Sequence, residues 1–115
     1  MKKFVLFAFN GDPLCFVHVL LNALDLHGRS MTVLVVLEGT AVKLVPELVR
    51  PDHFLHPLWQ RALAAGLVAG VCRACSVKLG VLEAVEAQGL PLLADMSGHA
   101  GFAPFLEDGF EIVTF

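Results

Sequence analysis

Residues 4–9 and 31–37 are apolar at nearly every position instead of every second one. A strand that reads this way has to be covered on both faces, as happens in parallel sheets layered with helices. Between the two runs, Asp12 is placed to cap a helix and Pro13 suits its first position. Apolar residues at Leu14, Val17, Leu21 and Leu24 then carry the helix to Gly28. The pattern is strand, helix, strand.

Pro46 and Pro51 interrupt residues 41–54, so a short helix followed by a mobile loop is expected there. A firmer helix is predicted over 57–65, stopped by Gly66, and residues 67–71 form a third apolar strand with Cys72 at its carboxyl end. From Arg73 the chain reads as helical, is broken or capped at Gly80 and resumes over 81–88. Gly89 and Pro91 end it before a brief strand at Leu92 and Leu93. Ser97 is placed to cap a last helix, and the alternation over 110–115 predicts a strand at or near a sheet edge. At 115 residues, with no internal repeat, the chain is expected to form one α/β domain with a small, mostly parallel sheet.

Composition changes this picture in one respect. At 57% apolar and 17% charged residues, the chain carries more apolar surface than one small domain usually hides, and burial between subunits is expected to take up the excess. A bilayer span needs roughly 18 or more consecutive apolar residues, and no such run exists, so no membrane is expected. Lys2 and Lys3 before an apolar run imitate an export signal, but that run stops at Asn10, Gly11, Asp12 and Pro13 and reads as a first strand. Three cysteines, with Cys15 far from Cys72 and Cys75, do not make a disulfide framework and point to reduced thiols in the cytoplasm. A net charge of −3 without a run of Lys or Arg gives no footprint for nucleic acid.

In open α/β sheets, ligands gather beyond the carboxyl ends of the strands. Those ends carry Asn10, Gly11 and Asp12; Glu38, Gly39 and Thr40; Cys72 to Cys75; and Asp95, Met96, Ser97, Gly98 and His99, which should share one mouth. A thiol at a helix start, as expected for Cys72, faces unpaired N–H groups that favour thiolate, the reactive form. Arg73 and Lys78 would add positive charge, and Cys75 is spaced to resolve a disulfide or pass on a sulfur atom. Small cysteines packed at a strand-to-helix junction fit the spacing equally well.

A zinc site needs about four ligands, and the two missing ones would have to come from Cys15, His53, His56 or His99. None of these stands at a diagnostic spacing, so no metal or other cofactor is expected. A thioredoxin motif has Trp before its first cysteine, whereas Val71 precedes Cys72 and the single tryptophan is Trp59. Of the histidines, His18 is expected in the core and His27 at a helix end. His53 and His56 flank a loop able to close over the mouth, and His99 follows the flexible Ser97 and Gly98. These last three are either proton donors or solvent-exposed loop residues.

Leu37-Glu38-Gly39-Thr40-Ala41-Val42-Lys43-Leu44, Gly70-Val71-Cys72-Arg73-Ala74-Cys75, Gly80-Val81 and the closing Ile112-Val113-Thr114-Phe115 resemble, in order, the DsrE/DsrF-like (YchN-like) family. The resemblance covers nearly the whole chain. It implies a three-layer, flavodoxin-like fold with a five-stranded sheet, assembled into trimers or hexamers. It also implies a persulfide on Cys72, as in the members that relay sulfur. In those members the cysteine has no partner three residues later; Cys75 is such a partner, as in another branch of the family. On this reading Cys72 accepts sulfane sulfur from a donor protein for an acceptor protein, and Cys75 resolves or assists. Arg73 and helix N–H groups stabilise the anion, while Asn10, Gly11, Glu38, Gly39, Ser97, Gly98 and His99 line the binding mouth. A dithiol redox protein and a non-catalytic oligomeric scaffold are the other two readings.

Overall fold

A computed structural model describes residues 2–115. Its strands are β1 (Lys3–Ala8), β2 (Thr32–Leu37), β3 (Val68–Cys72), β4 (Leu92–Leu93) and β5 (Glu111–Thr114). They form one five-stranded sheet in the order β4-β3-β2-β1-β5, with every pairing parallel. The helices are α1 (Pro13–Gly28), α2 (Val45–Leu48), α3 (His56–Ala64), α4 (Arg73–Lys78), α5 (Leu82–Ala87) and α6 (Ala103–Glu107), and Gly39–Leu44 makes a 3-10 helix. Asp12 caps α1 as its spacing suggests, with its carboxylate accepting from the Leu14 N–H at 2.9 Å and Pro13 in the first position. Among the described residues no helix is long and apolar enough to cross a membrane.

The strand order makes the two helix layers unequal. Crossovers between parallel strands are right-handed, and β1 to β2 to β3 to β4 steps in one direction across the sheet, so the helices between those strands cover one face. The return from β4 to β5 runs the other way and leaves α6 alone to cover the opposite face. The core divides accordingly. On the thick side, Phe16, Val19 and Leu20 of α1, Trp59 and Ala62 of α3 and Val85 of α5 pack on Leu6, Val33, Val35 and Val71. On the thin side, Val5, Phe7 and Val36 meet Ala100, Phe105 and Phe110. There Phe7 takes the edges of Phe102 and Phe105 at ring separations of 4.8 and 5.6 Å. So short a cover leaves Met96, Phe102 and Leu106 exposed.

Gly70 explains how β4 reaches its place. A Cβ on this buried residue would lie 2.8 Å from both the Pro91 carbonyl oxygen and Leu93 Cγ. Its absence lets β4 close on β3 with Val71 opposite Leu92 and Cys72 opposite Leu93.

Three expectations are corrected. Residues 49–55 are a train of hydrogen-bonded turns, Arg50 to Glu47, His53 to Arg50 and His56 to His53, around a buried Leu55, and not a free loop. His18 is exposed, because the buried stripe of α1 runs through Phe16, Val19, Leu20 and Ala23 and passes it by. Ser97 caps no helix: α6 starts after Phe102 without a side-chain cap, and Ser97 lies in a tight turn.

Candidate functional site

β3 delivers Cys72 to the carboxyl edge of the sheet with 1% of its surface exposed. The buried Ser76 hydroxyl donates to the Cys72 carbonyl at 2.7 Å and ties the first turn of α4 to the strand end. Cys75, three residues on, therefore falls on the same side of that turn as Cys72; it is partly exposed, and both thiols are free.

The third member of the site arrives on a hairpin turn. Met96 and His99 exchange N–H to carbonyl hydrogen bonds at 2.9 Å each way, and the residues between them, Ser97 (φ 50°) and Gly98 (φ 88°), are both left-handed. Two successive positive φ angles mark a type I′ two-residue turn. The turn is pinned on each side, by the Gly98 carbonyl accepting from the Ala74 N–H at 2.9 Å and by Asp95 Oδ1 accepting from the Gly101 N–H at 3.2 Å. So held, His99 Nδ1 stands 3.4 Å from Cys72 Sγ and 3.7 Å from Cys75 Sγ.

The β2 end completes the wall. The Gly39 N–H donates to Cys75 Sγ at 3.3 Å. Gly39 is left-handed (φ +54°) and a Cβ there would sit 2.6 Å from the Phe9 ring, so only glycine allows this approach. Thr40 stitches the β1 and β2 loops together, its hydroxyl accepting from the Gly11 N–H at 2.9 Å and donating to the Phe9 carbonyl at 3.1 Å. All four carboxyl-end loops thus join in one mouth. An apolar cleft of about 240 Å³ lined by Met96, Ala100, Gly101, Phe102 and Ala103 opens beside it.

Burial pushes the Cys75 thiol up to about 11, aided by its hydrogen bond to Cys72 and by the negative charges of Cys72 and Glu38, against the Gly39 N–H. Burial also raises Glu38, and the charge of His99 opposes it.

The mouth gathers Cys72, Cys75 and His99, with Gly39 and Gly98 contributing backbone groups and Glu38 and Ser97 beside them. Asn10 takes no part: its side-chain oxygen accepts from the Asp12 N–H at 2.8 Å in a local turn. The Arg73 side chain is exposed and makes no hydrogen bond or ion pair among the described residues, and the polar groups that do contact the sulfurs are His99 Nδ1 and the Gly39 N–H. Successive helix residues point about 100° apart, so Arg73 follows Cys72 in sequence without sharing its side. His53 and His56 serve backbone groups instead of the mouth. His53 Nδ1 accepts from the Leu55 N–H at 3.1 Å, and His56 Nδ1 pairs with the Leu48 carbonyl at 2.8 Å. The contributions of Thr40 and Ser76 carried no signal in the sequence beyond a hydroxyl near a strand end.

No known family profile matches the chain. An uncharacterized protein of Methanocaldococcus jannaschii is 29% identical over 97 residues, covering 84% of this chain and 77% of that protein. A conserved protein of unknown function from Bacteroides thetaiotaomicron has the same fold, with a TM-score of 0.73 over 98% of this chain and 95% of that one at 19% identity.

Proposed function

We propose that this protein is a sulfur carrier that stores sulfane sulfur as a persulfide on Cys72 and exchanges it with partners through Cys75. One observation carries the reading: a single imidazole nitrogen, His99 Nδ1, lies within 3.4 and 3.7 Å of the two sulfurs. In a sulfane transfer the attacking thiol loses a proton and the departing thiolate gains one, and a base in reach of both sulfurs serves each event.

In the first step Cys75 attacks the outer sulfur of a donor persulfide. The donor's S–S bond breaks, a Cys75 persulfide forms, and the donor leaves as a thiol carrying the proton that His99 took from Cys75. In the second step Cys72 attacks that same outer sulfur, the Cys75 S–S bond breaks, and the proton passes through His99 from Cys72 to Cys75. Neither step consumes an oxidant or a reductant. The burial of Cys72 shields the stored sulfur, and the partial exposure of Cys75 provides the port. The resemblance to the DsrE/DsrF-like family supports the same role. The bare Met96, Phe102 and Leu106 suit burial in a homo-oligomer such as a trimer or hexamer, and free thiols suit a reducing cytoplasm.

Intact-mass analysis of metal-free protein after incubation with a small persulfide donor tests the proposal. A gain of one sulfur, reversed by reductant, is expected, mapped by peptide mass to Cys72 in the wild type, halted on the partly exposed Cys75 and short-lived in Cys72→Ser, and slow in Cys75→Ser; no gain in the folded wild type refutes it. A dithiol redox role is the second reading, favoured by two free thiols a helical turn apart. A reversible Cys72–Cys75 disulfide across glutathione buffers without any sulfur gain would select it.

A further inference from the structure

Cys72 Sγ, Cys75 Sγ and His99 Nδ1 all lie within 4.8 Å of one another, and a sulfur-relay mechanism does not require them to point at a common centre. We infer that in its reduced, sulfur-free state this protein binds one zinc ion through Cys72, Cys75 and His99, leaving a fourth position open to an exchangeable ligand such as water or a small thiol.

Zinc sits about 2.3 Å from thiolate sulfur and about 2.0–2.1 Å from imidazole nitrogen in a tetrahedron, which fixes each S···N edge at about 3.6 Å and the S···S edge at about 3.8 Å. The two S···N separations, 3.4 and 3.7 Å, straddle that edge and need shifts of only a few tenths of an ångström, and the two sulfurs, within 4.8 Å of each other, have at most about 1 Å to close. The ligands are also held in advance. β3 and the Ser76 hydrogen bond fix Cys72, α4 fixes Cys75, and the pinned type I′ turn aims the Nδ1 edge of His99 at both sulfurs.

Two thiolates, a neutral imidazole and Zn²⁺ sum to zero, which a buried position tolerates far better than a lone anion. The Gly39 N–H on Cys75 Sγ at 3.3 Å supplies the outer hydrogen bond that ligating sulfurs usually have. Two sulfurs and one nitrogen select zinc or another thiophilic ion over magnesium or calcium. Three protein ligands leave the open position that distinguishes reactive zinc sites from closed structural ones. Binding displaces two thiol protons and no electrons. Zinc and stored sulfur would exclude one another, because both use the Cys72 lone pairs.

The test is titration of chelator-stripped, reduced full-length protein with Zn²⁺ against a chromophoric chelator, and with Co²⁺ followed by its visible bands. One equivalent is expected, with tetrahedral thiolate bands for Co²⁺. Affinity should fall more than about 100-fold in Cys75→Ser and in His99→Ala, beyond the roughly 10–100-fold cost of losing only an outer partner. Both residues reach the surface, so these variants should keep the fold, which far-UV circular dichroism checks. Cys15→Ser and His53→Ala should bind as the wild type does. No zinc on folded reduced protein, or binding that survives His99→Ala or moves with Cys15→Ser, overturns the inference. Sulfur loading is scored separately on metal-free protein. A protein that takes zinc but no sulfur therefore loses only the carrier role, and one that takes sulfur but no zinc loses only this site.

Discussion

Substituting alanine at two glycines, one on β3 and one at the end of α1, should move stability in opposite directions. Alanine is ordinarily preferred over glycine inside regular structure by about 0.5–1 kcal/mol. At Gly70 the new methyl would lie 2.8 Å from the Pro91 carbonyl oxygen, which cannot retreat freely because it accepts from the Val71 N–H at 2.9 Å. Moving it breaks a ladder only two residues long, and overpacking of this kind costs about 1–3 kcal/mol. The steric cost outweighs the propensity gain, for a net loss of about 1–2 kcal/mol. An unfolding entropy of about 2.1 cal/mol/K per residue over 115 residues makes each kcal/mol about 4 °C. Gly70→Ala should therefore lower Tm by about 4–8 °C. At Gly28 nothing lies within 4 Å of a built Cβ and φ is not positive, so Gly28→Ala should raise Tm by about 2–4 °C. Scanning calorimetry of the two variants beside the wild type decides the matter. If Gly70→Ala melts at or above the wild-type temperature, the close approach that seats β4, and through it the His99 turn, is refuted.

Ser97→Val places a β-branched residue at φ 50° and should cost about 1–2 kcal/mol while loosening His99, whereas Ser97→Asn should be neutral; alkylation of Cys72, followed by mass spectrometry, should accelerate only in the valine variant. Ser76→Ala removes the hydrogen bond to the Cys72 carbonyl and should lower stability by about 0.5–1.5 kcal/mol in urea titration. Trp59→Phe leaves Gln88 Oε1 without the indole N–H that donates to it at 3.1 Å, and should cost about 1–3 kcal/mol by the same assay.

Much of the architecture was legible because it is local. The unbroken apolar runs favoured parallel strands covered on both faces, and Asp12-Pro13 with Gly28 bounded α1 as its hydrogen bonds show. The site was harder, since its decisive contact joins Ala74 to Gly98 across a fold that no short window contains. Ser97 is common both at helix caps and before glycine in tight turns, and the turn won because Gly98 supplies the second left-handed position. His53 and His56 looked available beside two prolines, yet the Nδ1 atom of each is engaged by a backbone group, only two and eight residues away. His18 shows the limit of apolar neighbours as a guide: a side chain one position off the buried stripe of a helix faces water.

The pairing of Phe4 with Glu111 has a kinetic side. By the time residue 93 has left the ribosome, β1 to β4 and the helices of the thick layer can condense, but Phe7 still waits for Phe102, Phe105 and the strand after them. Contacts so distant along the chain form slowly. During that interval the edge of β1 and its aromatic face stand open to other chains, so a pause in synthesis after β4 is the condition under which this protein should most readily aggregate.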